Sequence, residues 1–151
     1  SRIDRLRARA GLAAARGGGL VVDVADSSEA PTTRGEVTDF RIQDVDLRQI
    51  ANALWRAGAE AIAINGQRVV ATTAVREAGG TILVNFSPVT SPYRISAVGD
   101  PTEMRARLDQ GEVIRQFDVW EQVYGLGFSI RSASELTLPG VETQLSWARP
   151  E

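Results

Sequence analysis

The stretch GAEAIAINGQRVVATT, residues 58–73, decides the fold because it places an Asn-Gly pair between two apolar runs. A two-residue type I′ turn needs a positive φ at both central positions, and Asn followed by Gly meets this need best. We therefore predict that Asn65 and Gly66 form a hairpin turn between the strand AEAIAI and the strand QRVVATTAVREA. The pair Gly79-Gly80 is predicted to turn the second strand back into TILVNF, which gives a meander of three antiparallel strands.

A helix is predicted immediately before this meander. In VDLRQIANALWRAG, residues 45–58, apolar residues recur at helical spacing. Asp44 or Asp46 can cap the first turn of this helix, and Gly58 can end the last turn. Further upstream, the apolar run LVVDVAD at residues 20–26 predicts a buried strand.

After the meander, the apolar alternation in YRISAV predicts a fourth strand. Asp100 and Pro101 then open a second helix, since Asp-Pro-Thr-Glu is a capping box with proline at the first helical position. The spacing in EVIRQFDVWEQVYG predicts a third helix, and LGFSIRSASELTLPG predicts a last strand or a bent pair of strands. The sum is an α+β domain with a mixed, mostly antiparallel sheet and helices packed on one face.

Both ends of the chain are predicted to lie outside this α+β domain, which we place at residues 19–139. Residues 1–18 have apolar residues at the spacing of an amphipathic helix, and we interpret them as the end of a coiled-coil stalk. The glycines at 17–19 are predicted to be a flexible joint after that helix. Residues 140–151 are predicted to be an extended tail.

Composition excludes several classes of chemistry. The chain has 151 residues, 43% hydrophobic and 24% charged, which is typical of one globular domain. It contains no cysteine and no histidine, so thiolate metal sites, cysteine nucleophiles and Ser-His-Asp catalysis are excluded. All 17 basic residues are arginine, which also excludes Schiff-base chemistry on lysine. We predict no cofactor and no metal.

Nucleic acid is not a predicted partner. The net charge is −2, and residues 1–16 contain arginines but no aromatic residue on which a base could stack. No run of about 18 apolar residues is present, so no segment of this chain is predicted to span a membrane.

Four blocks carry a family resemblance: DLRQIANALWRAGAEAIAINGQRV, TILVN, SPYRISAVGDP and ELTLP. Together they resemble the domain of unknown function 881 family, which includes the YlxW/YlxX-like, division-initiation-like proteins, over residues 20–139. The resemblance implies a single-pass membrane protein with a coiled coil and this domain on the extracytoplasmic side of the cell membrane. It implies no established activity and no catalytic residues, and its link to cell division rests on association.

Five polar residues are predicted to line a groove near the 45–58 helix: Asn52, Glu60, Arg68, Tyr93 and Asp100. Arg68 could hold a carboxylate or phosphate with two parallel hydrogen bonds, and Glu60 with Asp100 could act as paired carboxylates. Structural roles explain the same residues. Asn52 can bond a loop carbonyl, Arg68 can pair across a strand, and Asp100 is expected to cap its helix.

Two functions from different classes are consistent with this sequence. The first is a non-enzymatic interaction or scaffold domain that self-associates through the N-terminal helix or binds division or envelope proteins, through a sheet edge or the groove beside the 45–58 helix. The second is a small-ligand sensor or a carboxylate-dependent hydrolase acting on cell-wall material. The second function predicts a concave pocket where Glu60, Arg68 and Asp100 converge.

Overall fold

A computed structural model describes residues 13–28 and 40–141. Strands and helices follow one another in these ranges as β1 (Ala15–Ala25), α1 (Asp44–Arg56), β2 (Ala61–Ile64), β3 (Gln67–Val69), β4 (Val75–Ala78), β5 (Thr81–Val84), β6 (Ser87–Val89), β7 (Tyr93–Val98), α2 (Pro101–Asp109), α3 (Val113–Tyr124) and β8 (Gly127–Leu138). None of the described helices is both long enough and apolar enough to cross a membrane.

The strands form two sheets. A five-stranded sheet has the order β3-β2-β7-β1-β8, and a smaller three-stranded sheet has the order β4-β5-β6. Every strand pairing among the described residues is antiparallel. The predicted α+β class is therefore confirmed, and the parallel component that a mixed sheet would need is not found in the described part of the chain.

The main hydrophobic core lies between the helices and one face of the five-stranded sheet. Alternate residues of β1 point into this core because successive side chains of a strand face opposite sides. From α1, Leu47, Ile50 and Leu54 enter it and are at most 1% exposed. Burying each such side chain contributes about 1.5–3 kcal/mol, so this single stripe fixes α1 on the sheet.

The opposite face of the five-stranded sheet carries a smaller apolar cluster, made by Ala15, Ala61, Ala63, Val98 and Leu138. Three of these five residues are alanine, whose small side chains allow the chain that packs on this face to lie close to the sheet backbone. The helices thus pack on one face, as predicted, and the chain itself covers part of the other.

The start of α1 differs in detail from the prediction. Its N-cap is Gln43, one residue before Asp44, and Asp46 completes a capping box in which its carboxylate accepts the Gln43 N–H at 2.8 Å. Asp46 is 6% exposed, and this burial raises the pKa of its carboxyl group, although the Gln43 hydrogen bond acts in the opposite direction. At the other end, Ala57 is the C-cap and Gly58 follows with a φ of +107°.

The Asn-Gly turn is confirmed. Asn65 and Gly66 have φ values of +47° and +80°, and they join β2 to β3 in register. The Asn65 side chain also accepts the Arg94 N–H at 2.6 Å and donates to the Thr90 carbonyl at 3.1 Å. These bonds hold the turn against the beginning of β7, which gives Asn65 a structural role.

The predicted three-stranded meander is wrong in its middle strand, although the predicted turn at Gly79-Gly80 is confirmed because β4 and β5 pair across it. The sequence QRVVATTAVREA is not one strand, since β3 ends at Val69 and β4 begins at Val75 in the other sheet. Between them the Val70 N–H donates to the Thr73 hydroxyl at 2.7 Å, and the Thr73 N–H donates to the Val70 carbonyl at 2.9 Å. This side-chain-assisted turn competes with the sheet ladder and breaks the strand.

The prediction of a helix over residues 1–18 is wrong for residues 15–18. They are the beginning of β1, which pairs with β7 on one side and β8 on the other. The glycines at 17–19 are part of this strand and not a flexible joint. A Cβ at Gly19 would lie 1.8 Å from the Ala97 carbonyl oxygen, so glycine is required for the approach of β7. Residues 1–12, and 142–151 of the predicted tail, lie outside the described residues.

Candidate functional site

A groove runs between α1 and the turn that connects β3 to β4, with a cavity volume of about 590 Å³. It is lined by Arg48, Ala51, Asn52 and Trp55 from the helix and by Val69, Val70, Ala71, Thr73 and Val75 from the turn and its flanking strands. This volume lies within the range of sites that bind small molecules or the side chains of a partner.

The helix wall of the groove follows from the spacing of α1. Arg48, Ala51, Asn52 and Trp55 occupy positions i, i+3, i+4 and i+7 and therefore share one side of the helix. Ala51 is 4% exposed and its small side chain leaves room above the core. Trp55 is partly buried and packs against the core, so its ring is a fixed apolar wall.

One end of the groove is held by Arg48. Its Nη1 atom donates to the Val75 carbonyl at 2.5 Å and to the Asp44 carboxylate at 3.0 Å. The guanidinium therefore ties α1 to β4, and Asp44 balances its charge. The Arg48–Val75 hydrogen bond joins the two walls of the groove at this end.

Of the five predicted groove residues, the structure places only Asn52 along this groove. Asn52 is exposed and lies outside the buried stripe of α1. Its amide can donate and accept hydrogen bonds toward a molecule in the groove. Glu60 is exposed just before β2, and its backbone N–H donates to the Val98 carbonyl at 2.8 Å.

Arg68 is fully buried on the opposite face of the sheet. It is paired with Ala63 across β2 and β3, and both side chains therefore point away from the helices. The Arg68 Nη1 atom donates to the Ala13 carbonyl and to the Pro139 carbonyl, each at 2.9 Å. Burial lowers the pKa of Arg68. Its guanidinium thus holds together two segments that are far apart in the sequence.

The remaining two predicted groove residues have structural positions. Tyr93 is 5% exposed in the main core, and its pKa is raised by burial and further by the Asp26 charge. The Asp100 carboxylate accepts the Glu103 N–H at 3.1 Å, and Pro101 occupies the first turn of α2, which confirms the predicted cap. None of Glu60, Arg68 and Asp100 lines the groove.

No group of three or more acidic side chains that could hold a metal ion occurs in the part of the chain that the structure describes. Among the groove residues, sequence reasoning missed the wall formed by Val69, Val70 and Thr73. The available signal was the Thr-Thr pair after Val-Val-Ala, since threonine hydroxyls can close local turns.

Comparison with known proteins places this chain in a family. The family model described as "Bacterial protein of unknown function (DUF881)" matches residues 2–149. The chain belongs to the DUF881 family. The resemblance seen in the four sequence blocks is thereby confirmed.

Two relatives show how far the similarity to this DUF881 chain extends. The UPF0749 protein Rv1823 of Mycobacterium tuberculosis (strain ATCC 25618 / H37Rv) is 36% identical over 151 residues, which cover 95% of this chain and 49% of that protein. The UPF0749 protein YlxW of Bacillus subtilis (strain 168) is 30% identical over 99 residues, which cover 65% of this chain and 42% of that protein. The DUF881 chain thus spans about half the length of these relatives or less.

A solved structure has the same fold as the DUF881 chain. The crystal structure of an uncharacterized conserved protein from Mycobacterium tuberculosis superposes with a TM-score of 0.72 and 23% sequence identity. The superposition covers 93% of this chain and 91% of that chain. At this level of identity the similarity shows the fold alone.

Proposed function

We propose that this DUF881 chain is a non-enzymatic interaction domain whose groove beside α1 receives an apolar part of a partner protein. The observation that carries the proposal is the lining of the groove, in which Trp55 and five aliphatic residues surround only three polar side chains. Apolar walls with a few polar groups favour apolar side chains and fix their orientation.

A catalytic role has no comparable support. A carboxylate-dependent hydrolase needs at least one carboxylate at the reacting bond, and the groove lining contains neither Asp nor Glu. Glu60 and Asp100 lie outside the groove, and the Asp100 carboxylate already caps α2. A small-ligand sensor would use the same groove and is the second candidate, since the volume of about 590 Å³ suits a small molecule.

The cellular setting of the proposal rests on the family resemblance. We expect the domain on the extracytoplasmic side of a membrane, with division or envelope proteins as partners. Self-association through the N-terminal helix stays a prediction, because residues 1–12 lie outside the described residues. A truncation that tests it should end at residue 12, since deletion through residue 18 would remove the start of β1 and the Ala13 carbonyl that Arg68 binds.

The decisive experiment is site-specific photo-cross-linking of the full-length protein in intact cells. A photoreactive amino acid at Asn52 should form an adduct with a partner protein, identified by mass spectrometry. The same amino acid at Gln122, which is exposed on α3, should not form that adduct. Ala71→Trp, which fills the groove, should abolish the Asn52 adduct, and the matched variant Ala71→Ser should keep it.

Two outcomes would count against the interaction domain. Equal adducts from Asn52 and Gln122 would show that cross-linking reports only random collisions. Absence of any protein adduct at Asn52, together with a small molecule that native mass spectrometry finds on the wild-type protein but not on Ala71→Trp, would establish the sensor instead.

A further inference from the structure

The two edge strands of the five-stranded sheet differ in length. At one edge, β3 has 3 residues. At the other edge, β8 has 12 residues, and in the part of the chain that the structure describes it pairs with β1 alone. Proteins usually protect an edge with a short strand, proline, lysine or a bulge. β8 contains neither proline nor lysine, and its register with β1 shifts only between Ala133 and Leu136, so Gly127–Ala133 is a long regular edge.

The segment Gly127–Ala133 presents a row of backbone N–H and C=O groups on its open side. In an antiparallel pair, every second residue directs these groups to the neighbouring strand, and the residues between direct them the other way. The described chain places no strand on that other side. A protein ligand can bond to the whole row only as an extended segment, because its own N–H and C=O groups then repeat at the same spacing.

The side of this edge that faces the helices is apolar. Phe128 and Ile130 pair with valines of β1 and are partly buried against the main core. The Phe128 ring stacks on Phe117 of α3, with 5.1 Å between the ring centroids, which fixes its position. A strand added beside β8 would place every second side chain next to Phe128 and Ile130. Those positions of the added strand therefore favour apolar residues.

The other side of the edge is polar and carries an excess of positive charge. The Asp23 carboxylate lies 2.9 Å from Arg94 Nε and 3.9 Å from Arg131 Nε. One carboxylate thus faces two guanidinium groups, and the Arg131 side chain is 52% exposed on the edge strand. An acidic residue placed next to Arg131 in an added strand would balance this charge.

We propose that the Gly127–Ala133 edge binds an extended segment of a partner protein, which becomes a sixth strand of the sheet. The segment has apolar residues at alternate positions on the helix side and an acidic residue near Arg131 on the other side. No residue of β8 lines the groove beside α1, so this surface is separate from the site of the proposed function and does not depend on it.

Charge disfavours a second copy of this chain as the occupant. Two β8 edges paired about a two-fold axis at Ile130 would place the two Arg131 side chains diagonally across the new pair, and an axis at Arg131 would place them directly opposite. Each Asp23 is already shared between two guanidinium groups, so these arginines would lack further compensation. Like charges at such positions destabilise a strand pair.

The test begins with a phage-displayed library of random decapeptides, selected on the full chain. Selected peptides should alternate apolar and polar residues and contain an acidic residue on the polar side. A selected peptide should also newly protect every second amide of Gly127–Ala133 from hydrogen exchange. This alternation distinguishes an added strand from a ligand that only covers the surface.

Substitutions on the two sides of the edge test the two halves of the recognition. Ser132→Lys places a charge on the helix side and should lower the affinity of the selected peptide about tenfold or more. Gln122→Lys adds the same charge to the exposed surface of α3, and this matched control should bind like the wild type. Arg131→Glu should lower the affinity about fivefold, and a peptide whose acidic residue is replaced by lysine should recover it. Such recovery would exclude misfolding as the cause of the loss.

Four results would overturn the inference. They are a library that yields no binder, selected peptides without the alternation, newly protected amides outside β8, and a peptide whose binding is lost in Ala71→Trp but kept in Ser132→Lys. The last result would place the peptide in the groove and so support the proposed function instead. A wild-type chain that dimerises in sedimentation velocity, and that Ser132→Lys makes monomeric, would also overturn it, because a second copy would then occupy the edge.

Discussion

Replacement of Arg68 should show how much one buried guanidinium contributes to the fold. Arg68 is fully buried and donates hydrogen bonds to the carbonyls of Ala13 and Pro139. A hydrogen bond from a charged donor contributes about 1.5 kcal/mol or more, and each methylene of the stem contributes about 0.8 kcal/mol on burial. Arg68→Ala therefore removes about 5 kcal/mol of favourable interactions.

Part of this loss is offset. The charged group is desolvated in the folded protein, which is why its pKa is lowered, and the alanine variant escapes that cost. With an offset of about 2 kcal/mol, the net destabilisation is about 3 kcal/mol for Arg68→Ala. Arg68→Met keeps an apolar stem of similar length and should lose only about 1 kcal/mol.

Urea unfolding followed by tryptophan fluorescence and circular dichroism would measure the loss of stability in both variants. The slope of the unfolding free energy against urea concentration should be the same as in the wild type, as expected when unfolding stays two-state. Hydrogen exchange should also accelerate more at Ala15–Gly17 than at Ile62, because the first segment depends on the Arg68 bonds. If Arg68→Ala costs less than about 1 kcal/mol, or exchange at Ala15–Gly17 is unchanged, the two hydrogen bonds do not hold this part of the fold.

Substitutions at three further positions test other contacts. Gly19→Ala should cost at least about 3 kcal/mol in urea unfolding, because its Cβ would lie 1.8 Å from the Ala97 carbonyl oxygen and the backbone must move; a smaller loss would mean that β1 and β7 separate easily. Asp100→Ala should cost about 1 kcal/mol and Asp100→Asn much less, since only the first loses the acceptor for the Glu103 N–H; equal losses would contradict the cap. The folded pKa of Asp46 is raised above 3.8, so the folded protein binds this proton more tightly, and the contribution of Asp46 to stability falls as pH rises through the window above 3.8. Asp46→Asn should therefore gain stability relative to wild type as pH rises from 3.8 to 7, which urea unfolding at each pH would measure. If the free energy of unfolding of the variant instead falls relative to that of the wild type over this range, the burial argument is refuted.

Local signals in the sequence predicted the parts of the fold that depend on local chemistry. The turn at Asn65 and Gly66 follows from the φ values that a type I′ turn requires, and any tertiary context would keep it. The cap at Asp100 follows equally from its spacing to Glu103. The helix α1 was predictable because its buried stripe repeats at helical period.

The parts that sequence reasoning missed are decided by residues far away in the chain. Val70 to Val75 read as a continuation of β3, and the break depends on the Thr73 hydroxyl and on packing in the second sheet. Ala15 and Arg16 favour a helix and Gly17 and Gly18 favour a flexible joint, but pairing with β8 makes all four the beginning of a strand. Secondary-structure propensity is a weak guide to the conformation of a segment that pairs with a neighbouring strand in a sheet.

The candidate site was only partly predictable for the same reason. Asn52 could be placed beside the groove because it belongs to a helix whose faces are readable from the sequence. Arg68 lies in a strand of three residues, and nothing nearby indicates that Ala13 and Pro139 cover it.

The bonds from Arg68 to Ala13 and Pro139 have a mechanical consequence. They hold the beginning of β1 beside the end of β8, at one end of this antiparallel strand pair. A force applied between residues 13 and 139 therefore acts perpendicular to the two strands and not along them. The load would fall first on Arg68 and then on the pairing of Ala15 with Leu138, and the two strands would open one residue pair at a time. Strands that unzip in sequence yield at much lower force than strands sheared all at once, so under tension this domain would give way first at that end.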